Sequence, residues 1–402
     1  MFTIRGKFCE MNVYASTVED EALSQLHTFA NNPVTEGSHV AIMPDVHCGK
    51  GVTIGFTQKI NGRVNPNMVG VDIGCGMLVL KISRDADYFN KPGLEKLDKV
   101  INQYIPHGMA HRDSLHRFAN DIDLSNLIAD ADYSNELYAL GSLGGGNHFI
   151  EVDRDEEGDY YIVIHSGSRH LGIAVASYWE KKAFEACKNA SVAKSELIAR
   201  LKKEGREKDI QNELSKITPV IVSKELSYLE GVDLDGYLHD MHIAQEFARL
   251  NREAMLDVII KKMNIKRNHI IDKWCTIHNY IDIKNGILRK GAISLQKDEM
   301  AIIPMNMKDG SLIVRGKGNE EWNFSGPHGA GRLMSRSKAK QTLSMADYKE
   351  SMAGIYTTSV NSSTIDEAPM AYKPMDEIIS NIGETADIVN IIKPIYNFKS
   401  ST

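Results

Sequence analysis

Apolar residues occur in short runs separated by glycine-rich loops, and in a few longer stretches they recur at helical spacing. The short runs predict strands at Phe2–Ile4, Val40–Met43 and Tyr160–Ile164, and more strands in the last third of the chain. In the stretch Asp235–Met263 the apolar residues recur near helical spacing, which predicts a helix with one buried face. Because the strands feed glycine-rich loops from distant parts of the chain, one interlocked domain fits better than separable modules.

Other helices are indicated by spacing and by start and stop signals. One begins near Val18, with Ser16 and Thr17 as possible N-caps, and ends at Asn31, before Asn32 and Pro33. The remaining helical predictions are Pro92–Leu140, Gly172–Asn189 and Val192–Lys203, with a break near Thr218–Pro219. The charged stretch Lys194–Asn212 is more typical of a solvated arm than of a catalytic element.

The composition describes an ordinary soluble globular chain. It has 402 residues, of which 42% are hydrophobic and 25% charged. The N-terminal residues lack the layout of a signal peptide, and no apolar run is long enough to span a bilayer, so we expect a cytoplasmic protein without membrane contact. The net charge of −6 argues against nonspecific coating of nucleic acid but allows a local basic site. The five cysteines form no CxxC pair, so any metal-binding thiol acts singly.

Glycines surround a carboxylate and a thiol in the segment GVDIGCGM, residues Gly70–Met77. Glycine lets the backbone take positive φ and approach a ligand closely, and a carboxylate with a thiolate can share one or two divalent ions. Asp72 and Cys75 could therefore hold a metal. Taken alone, the segment favours a tight turn with a buried structural cysteine, because free cysteines are among the most buried residues.

Histidines and asparagines beside glycines or strand ends add candidates from distant positions. They are Asn147, His148, His165, His278, Asn279 and His328. Any one of the histidines alone is more often structural, but together with Asp72 and Cys75 they predict a metal site assembled from separate loops. Imidazole, thiolate and carboxylate suit manganese, zinc or iron. Two ions sharing a thiolate would suit phosphoryl chemistry.

The sequence HGAGR around His328 has the features of a nucleophile or of a phosphate contact. Gly329 and Gly331 remove side-chain obstruction, Arg332 supplies a fixed cation, and a neutral imidazole can attack phosphorus. Nearby basic residues could neutralise an RNA backbone: Arg289, Lys290, Arg315, Lys317, Arg332, Arg336, Lys338 and Lys340. Residues 336–340 are equally compatible with a solvated helix start. The polar loop at Asp45–Lys50 fits a substrate loop or a simple turn.

Eight spaced motifs resemble the RtcB family of RNA ligases along nearly the full length. In order they are PDVHCGKG, GVDIGCGM, GGGNHFIE, HSGSR, HNY, RKGA, HGAGR with MSRSKAK, and DEAPMAYK. The resemblance implies an α+β fold: one RtcB-type domain over residues 1–402, with mixed strands around a central metal cleft and peripheral helices. A helical arm at about residues 172–263 would be an insertion within it.

The resemblance also implies GTP as cofactor, a binuclear manganese centre, and His328 as the histidine that becomes guanylylated. The implied metal ligands are Asp72, Cys75 as the bridging thiolate, His148, His165 and His278. The implied nucleotide contacts are Asn147, Glu151, Asn279, Asn306, His328, Gly329, Ala330, Gly331, Tyr372 and Lys399, the last of which depends on how the short tail is aligned. Arg169 and Arg332 would face RNA.

The implied reaction joins an RNA 3′-phosphate end to a 5′-hydroxyl end. His328 attacks GTP and keeps GMP, the GMP passes to the 3′-phosphate, and the 5′-hydroxyl displaces it; a 2′,3′-cyclic phosphate is opened first. Such an enzyme serves RNA repair or tRNA splicing. We expect it to act as a monomer, and the need for a helper protein stays open.

Departures from the family pattern indicate a divergent branch. The segment Pro304–Lys308 lacks the glycines of the usual PGSMG loop, His170 replaces a glycine after HSGSR, Ile277 stands where a histidine commonly precedes HN, and Ser325–Pro327 differ from the usual cysteine-containing approach. They leave two alternatives open: a metal-dependent phosphoesterase that opens cyclic-phosphate RNA ends without ligation, and a non-catalytic RNA-binding subunit.

Overall fold

The computed structural model describes residues 1–130, 133, 135–215 and 223–400, and only the backbone of residues 189–195 and 215. Its strands are β1 (Phe2–Arg5), β2 (Glu10–Val13), β3 (Val40–His47), β4 (Ile54–Lys59), β5 (Arg63–Val64), β6 (Gly76–Ile82), β7 (Phe149–Arg154), β8 (Tyr160–Ser166), β9 (Leu229–Glu230), β10 (Ile270–Ile277), β11 (Asn279–Asp282), β12 (Ile287–Lys290), β13 (Ala292–Ser294), β14 (Met300–Asn306), β15 (Gly310–Gly316), β16 (Ser325–Pro327) and β17 (Ala386–Phe398). Its α-helices are α1 (Asp20–Ala30), α2 (Lys91–Tyr104), α3 (Arg169–Lys203), α4 (Ile210–Ser215), α5 (Gly231–Met263), α6 (Arg336–Thr342), α7 (Met345–Ser351) and α8 (Met375–Asn381). Among the described residues, no helix is long and apolar enough to cross a membrane.

Two large sheets carry most of the strands. The first has six strands in the order β1-β2-β3-β4-β12-β11, in which β2 and β3 are parallel. The second has seven strands in the order β10-β6-β8-β7-β17-β15-β14, and its neighbours pair antiparallel. Helices pack against largely antiparallel sheets, so the fold class is α+β, as predicted.

The long helix α5 contributes to the cores of both sheets. Its N-terminal half, with Tyr237 and Met241, packs in the core that includes Val40 and Ile42 of the first sheet. Its C-terminal half, with Met255, packs in the core of the second sheet together with residues of α2, β6 and β8. The middle of α5 therefore lies between the two cores.

Several predicted boundaries differ from those observed. The helical prediction over Pro92–Leu140 is wrong after Tyr104, because Pro106 ends the helix and the described remainder forms short 3-10 turns. The two helices predicted at Gly172–Asn189 and Val192–Lys203 are one helix, α3, since no glycine or proline interrupts the sequence between them. The N-cap of α1 is Glu19 rather than Ser16 or Thr17.

Other predictions are close to the structure. The helix expected over Asp235–Met263 begins at Gly231, and the strand expected at Val40–Met43 continues to His47. The break near Thr218–Pro219 lies outside the described residues. The division into one domain with an inserted helical arm stays a prediction.

Candidate active site

The candidate metal ligands meet at one end of the second sheet. Cys75 immediately precedes β6, His148 immediately precedes β7, His165 is near the end of β8, and His278 immediately follows β10. These four strands are neighbours in the order β10-β6-β8-β7. Because they are antiparallel, the starts of β6 and β7 and the ends of β8 and β10 lie at the same edge. The topology thus assembles ligands that are far apart in sequence.

The donor atoms of these side chains converge closely. The Cys75 Sγ lies 3.4 Å from His148 Nε2 and 3.3 Å from His165 Nε2. The two Nε2 atoms of His165 and His278 are 3.0 Å apart. Asp72 Oδ2 is 3.0 Å from His148 Nε2. Cys75, His148 and His165 are all buried and form a group that could hold a metal ion.

Backbone carbonyls orient two of the imidazole rings. His148 Nδ1 lies 2.8 Å from the Leu143 carbonyl oxygen, and His165 Nδ1 lies 3.3 Å from that of Asn147. Since a carbonyl only accepts, each Nδ1 carries a proton and donates, and each Nε2 presents a lone pair. This is the arrangement that fixes the tautomer of a metal-binding histidine.

The convergence of these acceptors fits a divalent cation. With Nδ1 protonated, the His148 Nε2 lone pair faces the Asp72 carboxylate oxygen, so two acceptors point at each other. Within the described residues, the buried His278 Nδ1 also has no hydrogen-bond partner. Thiolate, imidazole and carboxylate together suit a transition metal such as manganese, zinc or iron, and the site therefore fits a metal.

Burial controls the protonation of these groups. Burial raises the pKa of the Cys75 thiol well above its ordinary value, and the neighbouring Asp72 carboxylate adds to this effect. Burial also lowers the pKa of His165 and of His278, with neighbouring histidines as a further cause, so both rings are neutral. The rings of His165 and His278 are in their ligating form, whereas the Cys75 thiol has to lose a proton when it binds a cation.

Glycine at position 74 allows the segment Gly70–Met77 to turn close to α5. Gly74 has φ +71°, and a Cβ there would lie 2.8 Å from the Cα of Gln245 in α5. A side chain would therefore collide with the helix backbone. Gly74 brings Asp72 and Cys75 directly against α5.

The candidate nucleophile is held by a carboxylate from the other sheet. His328 follows β16, and its Nδ1 lies 2.6 Å from Asp45 Oδ2, while its backbone N–H donates to the same oxygen over 3.0 Å. Gly331, with φ +77°, brings the HGAGR loop close to β3, because a Cβ there would lie 2.5 Å from the Asp45 carbonyl oxygen. The His328 ring is also close to that of His278, with 4.7 Å between centroids.

A cavity of about 540 Å³ opens beside these groups. Every residue for which a nucleotide contact was predicted lines it: Asn147, Glu151, Asn279, Asn306, His328, Gly329, Ala330, Gly331, Tyr372 and Lys399. His165 and His278 also line it. The strand pairing explains part of this grouping, since Glu151 of β7 lies opposite Asn397 of β17, and Lys399 follows β17 directly.

The two predicted RNA contacts lie in different places. Arg332 lines the cavity, whereas Arg169 is not among the lining residues. The Arg169 guanidinium donates to the Ser142 hydroxyl and to the Gly108 carbonyl oxygen, and it is half-buried. The departure at Pro304–Lys308 lies partly at the cavity, because Pro304, Met305, Asn306 and Met307 line it.

Glu367, for which the sequence predicted no role, is a buried carboxylate that forms ion pairs with three cations lining the cavity. Glu367, 3% exposed, forms ion pairs with Arg332, Arg336 and Lys399 and accepts a hydrogen bond from the Tyr372 hydroxyl at 2.7 Å. Burial opposes its ionisation, but the Lys399 and Arg336 charges outweigh it and lower the pKa of Glu367 to about 2. Glu367 is the second residue of the DEAPMAYK motif. The motif could therefore have identified this carboxylate as a candidate site residue, although no role was predicted for it.

Asp45 was only one of several polar residues in a loop that also fitted a turn. Its partner His328 is 283 positions away, and no local pattern connects the two. The start of α6 is solvent-exposed, and Arg336 there, with 43% of its side chain exposed, also pairs with Asp366 and Glu367.

Comparisons with known proteins identify the family of this chain. The family model described as tRNA-splicing ligase RtcB matches residues 25–132 and 123–400. The RNA-splicing ligase RtcB of Escherichia coli K12 is 32% identical over 412 aligned residues, which cover 94% of each chain. RtcB2 of Escherichia coli strain ATCC 25922 is 26% identical, covering 96% of this chain and 93% of that protein. The tRNA-splicing ligase RtcB of Aeropyrum pernix is 27% identical, covering 91% and 89%.

Proposed function

Because this chain belongs to the RtcB family, shown by a family match over most of its length and by 32% identity to a relative, we propose that it is an RNA ligase. It joins RNA 3′-phosphate or 2′,3′-cyclic phosphate ends to 5′-hydroxyl ends, consumes GTP, and uses Mn²⁺ ions. Its role would be RNA repair or tRNA splicing. The observation that carries the proposal is a histidine held by a carboxylate at the wall of a cavity next to a Cys/His cluster.

His328 is the nucleophile in this proposal. The Asp45 carboxylate accepts the Nδ1 proton at 2.6 Å and so fixes the tautomer in which Nε2 bears the lone pair. Among the described residues, Nε2 has no hydrogen-bond partner, so it is free to attack. As positive charge develops on the ring, the nearby carboxylate stabilises it, as in other carboxylate-oriented histidines.

The proposed reaction has three steps, each of which forms one bond to phosphorus and breaks another. The Nε2 lone pair forms a bond to the α-phosphorus of GTP, and pyrophosphate leaves with the electrons of the broken P–O bond. An oxygen of the RNA 3′-phosphate then takes the guanylyl group from Nε2. Finally, the 5′-hydroxyl oxygen attacks the RNA phosphorus, GMP leaves, and the hydroxyl proton is lost.

The metal would be held by Asp72, Cys75, His148, His165 and His278. When bound, divalent ions neutralise charge on phosphate oxygens. The carbonyl oxygens of Leu143 and Asn147 accept hydrogen bonds from Nδ1 of His148 and of His165. These hydrogen bonds keep the Nε2 lone pairs of the two histidines directed into the site.

The guanylate and the RNA would occupy the cavity and its rim. Lys399 is oriented by the Asn147 carbonyl oxygen at 3.2 Å and by Glu367 at 3.0 Å, which places its ammonium group in the cavity wall. Burial raises the pKa of Glu151 to about 7. Near neutral pH this carboxyl group is therefore present in both protonation states and could donate a hydrogen bond to the guanine base or accept one from it. Arg332 would meet an RNA phosphate at the cavity, and Arg169 would meet the RNA further along its path.

The sharpest test is the covalent adduct on His328. Protein incubated with GTP labelled at the α-phosphate and with Mn²⁺ should acquire an acid-labile GMP adduct, and His328→Ala should acquire none. Pulse-chase with RNA carrying a 3′-phosphate should move the label to RNA. If the wild-type protein forms no adduct with any divalent metal, the ligase proposal fails at its first step.

Substrate RNAs separate ligation from the two alternatives. Opening of a cyclic-phosphate end without GTP, and no sealed product with GTP, would indicate a phosphoesterase. RNA binding that persists in His328→Ala and Cys75→Ala, without any metal-dependent chemistry in wild type, would indicate a binding subunit.

A further inference from the structure

Two adjacent residues in the middle of α5 reach backbone segments that lead into three of the five candidate metal-binding side chains. Asn251 and Arg252 are 0% and 1% exposed, and neither belongs to the candidate ligand set. They lie where α5 passes between the two cores. Their polar atoms are directed at the segments beside Cys75, His148 and His165.

Asn251 connects the loop before His148 to the strand end that carries His165. Its Oδ1 accepts hydrogen bonds from the backbone N–H groups of Gly141 and Ser142, at 2.8 and 3.1 Å. Its Nδ2 donates to the Ser142 carbonyl, the Ser166 hydroxyl and the Gly167 carbonyl, at 3.0, 3.1 and 3.1 Å.

A continuous hydrogen-bond path leads from Asn251 to the His148 ring. The Ser166 hydroxyl, which accepts from Asn251, donates to the Leu143 carbonyl oxygen at 2.8 Å. The same carbonyl accepts from His148 Nδ1. The orientation of the His148 ring therefore depends on an acceptor that Asn251 helps to fix.

Arg252 connects the segment before Cys75 to the strand end that carries His165. Its Nη1 donates to the Gly74 carbonyl at 2.8 Å and to the Ser166 carbonyl at 2.7 Å. Its Nη2 contacts the Cys275 sulfur at 3.3 Å. Gly74 and Ser166 are the chain neighbours of Cys75 and His165, so one guanidinium nitrogen sets the spacing of two ligand-bearing segments.

Burial of this guanidinium is costly. A buried charge is destabilising unless it is paired, and within the described residues the guanidinium of Arg252 contacts two carbonyl oxygens and a sulfur atom instead of a carboxylate. The presence of a buried guanidinium is explained if its hydrogen bonds to the Gly74 and Ser166 carbonyl oxygens are required to hold these two segments in place.

We propose that Asn251 and Arg252 are positioning residues of the metal centre: through the backbone of Gly74, Ser142 and Ser166 they set the relative positions of Cys75, His148 and His165. This inference rests on the proposed metal centre and adds to it two residues that touch neither metal nor substrate. Losing a group that orients a metal ligand typically weakens metal binding by about tenfold to hundredfold.

The experiment measures Mn²⁺ binding by the full-length protein without nucleotide or RNA. Free Mn²⁺ is quantified by its EPR signal during titration. Arg252→Met, which keeps length but donates no hydrogen bond, should weaken Mn²⁺ binding by about tenfold or more. Arg252→Lys keeps a charged donor near the two carbonyls and should recover part of the affinity.

Asp240→Asn is the matched control, because Asp240 is on the same helix and is also 0% exposed. Its carboxylate accepts from Ile128 N, Ala129 N and Trp179 Nε1, each at 2.8 Å, and reaches no ligand-bearing segment. Asp240→Asn should lower the Tm but leave the Mn²⁺ affinity within about twofold of wild type.

Wild-type Mn²⁺ affinity in folded Arg252→Met would overturn the positioning role while leaving the metal centre intact. If Arg252→Met does not fold, Arg252→Lys decides in the same way: several-fold weaker binding is expected, and unchanged binding overturns the role. An equal loss of affinity in Asp240→Asn would show that general destabilisation is sufficient and would also overturn it. Absence of Mn²⁺ binding in wild type would instead refute the metal centre itself.

Discussion

At the scale of the residue, Cys75 illustrates how far its surroundings decide its chemistry. Its thiol lies within 3.4 Å of two imidazole Nε2 atoms, and burial holds its pKa high in the protein without metal. A bound cation reverses this preference, because metal binding requires the thiolate. In the proposed metal centre, the same side chain would thus be inert without metal and would become a ligand when metal binds.

We predict that Cys75→Ala abolishes both formation of the GMP adduct and RNA sealing, because the proposed bridging ligand is lost. The free energy of unfolding should fall by only about 1 kcal/mol, since the substitution is small and adds no buried polar group. Adduct formation, ligation and thermal unfolding measure these effects. Cys187→Ala is the control: Cys187 is half-buried and does not line the cavity, so this variant should retain both reactions. If Cys75→Ala still seals RNA, Cys75 has only a structural role.

Asp45 supports the reactive state of His328 in the proposed mechanism. Asp45→Asn keeps the shape, but the amide can no longer offer a charged acceptor to both Nδ1 and the backbone N–H of His328. We expect the rate of adduct formation to fall by about 10²-fold or more. Single-turnover labelling with GTP measures the rate, and the Mn²⁺ affinity serves as the control, because Asp45 is not a metal ligand. A wild-type rate would exclude the orienting role.

At the scale of the element, antiparallel pairing explains why the site is where it is. The starts of β6 and β7 and the ends of β8 and β10 coincide, and β17 adds Asn397 and Lys399 at the same end. The loop Gly70–Met77 completes the site only if it approaches α5 closely.

The close approach of this loop can be tested at Gly74. Gly74→Ala should lower the Tm and weaken Mn²⁺ binding, because the new Cβ would lie 2.8 Å from the Gln245 Cα. Gly62→Ala is the matched control: Gly62 also has φ +71° but no atom within 4 Å of the added Cβ. In both variants an alanine has to adopt the left-handed backbone conformation, which lowers the free energy of unfolding by about 1–2 kcal/mol.

The difference between the two variants isolates the contact with α5. Gly62→Ala should bind Mn²⁺ like wild type despite its lower Tm. Equal Mn²⁺ affinity in Gly74→Ala and Gly62→Ala would contradict the role of the contact.

At the scale of the whole molecule, Glu367 joins parts of the chain that are distant in sequence. It connects Arg332, Arg336 and Tyr372 to Lys399 near the end of β17. The predicted contribution of these residues to nucleotide and RNA binding therefore depends on one buried carboxylate.

Glu367→Gln should lower the free energy of unfolding by about 3–5 kcal/mol at pH 7, since it leaves buried cations without their counter-charge. The pKa of Glu367 is about 2 in the folded protein, below its ordinary value of 4.5. A depressed pKa stabilises the folded state above 4.5, and this stabilisation is lost as the pH falls from 4.5 towards 2. Thermal unfolding should show the gap between variant and wild type closing over that window.

The exposed Glu350 on α7 provides a control for this pH dependence. Glu350→Gln should follow wild type at every pH. A gap for Glu367→Gln that stays constant from pH 7 to pH 3 would exclude the charge as its cause.

The sequence by itself indicated the candidate side chains of the proposed site. Glycine-flanked Asp72 and Cys75, the histidines at strand ends and the HGAGR loop around His328 could all be found because each carries a local signal. The α+β class, the long apolar helix and the family relationship were accessible for the same reason, since periodicity and motif spacing are properties of neighbouring residues.

Only the tertiary structure decided which side chains orient these groups. Asp45 contacts His328 across 283 positions. Glu367 pairs with cations from two distant segments, residues 332–336 and residue 399. Asn251 and Arg252 lie in a helix whose sequence pattern predicted only a buried apolar face. Their partners are backbone carbonyls and distant side chains, which hydrophobic periodicity does not encode. Strand order in an antiparallel sheet, rather than any local pattern, brings those partners together.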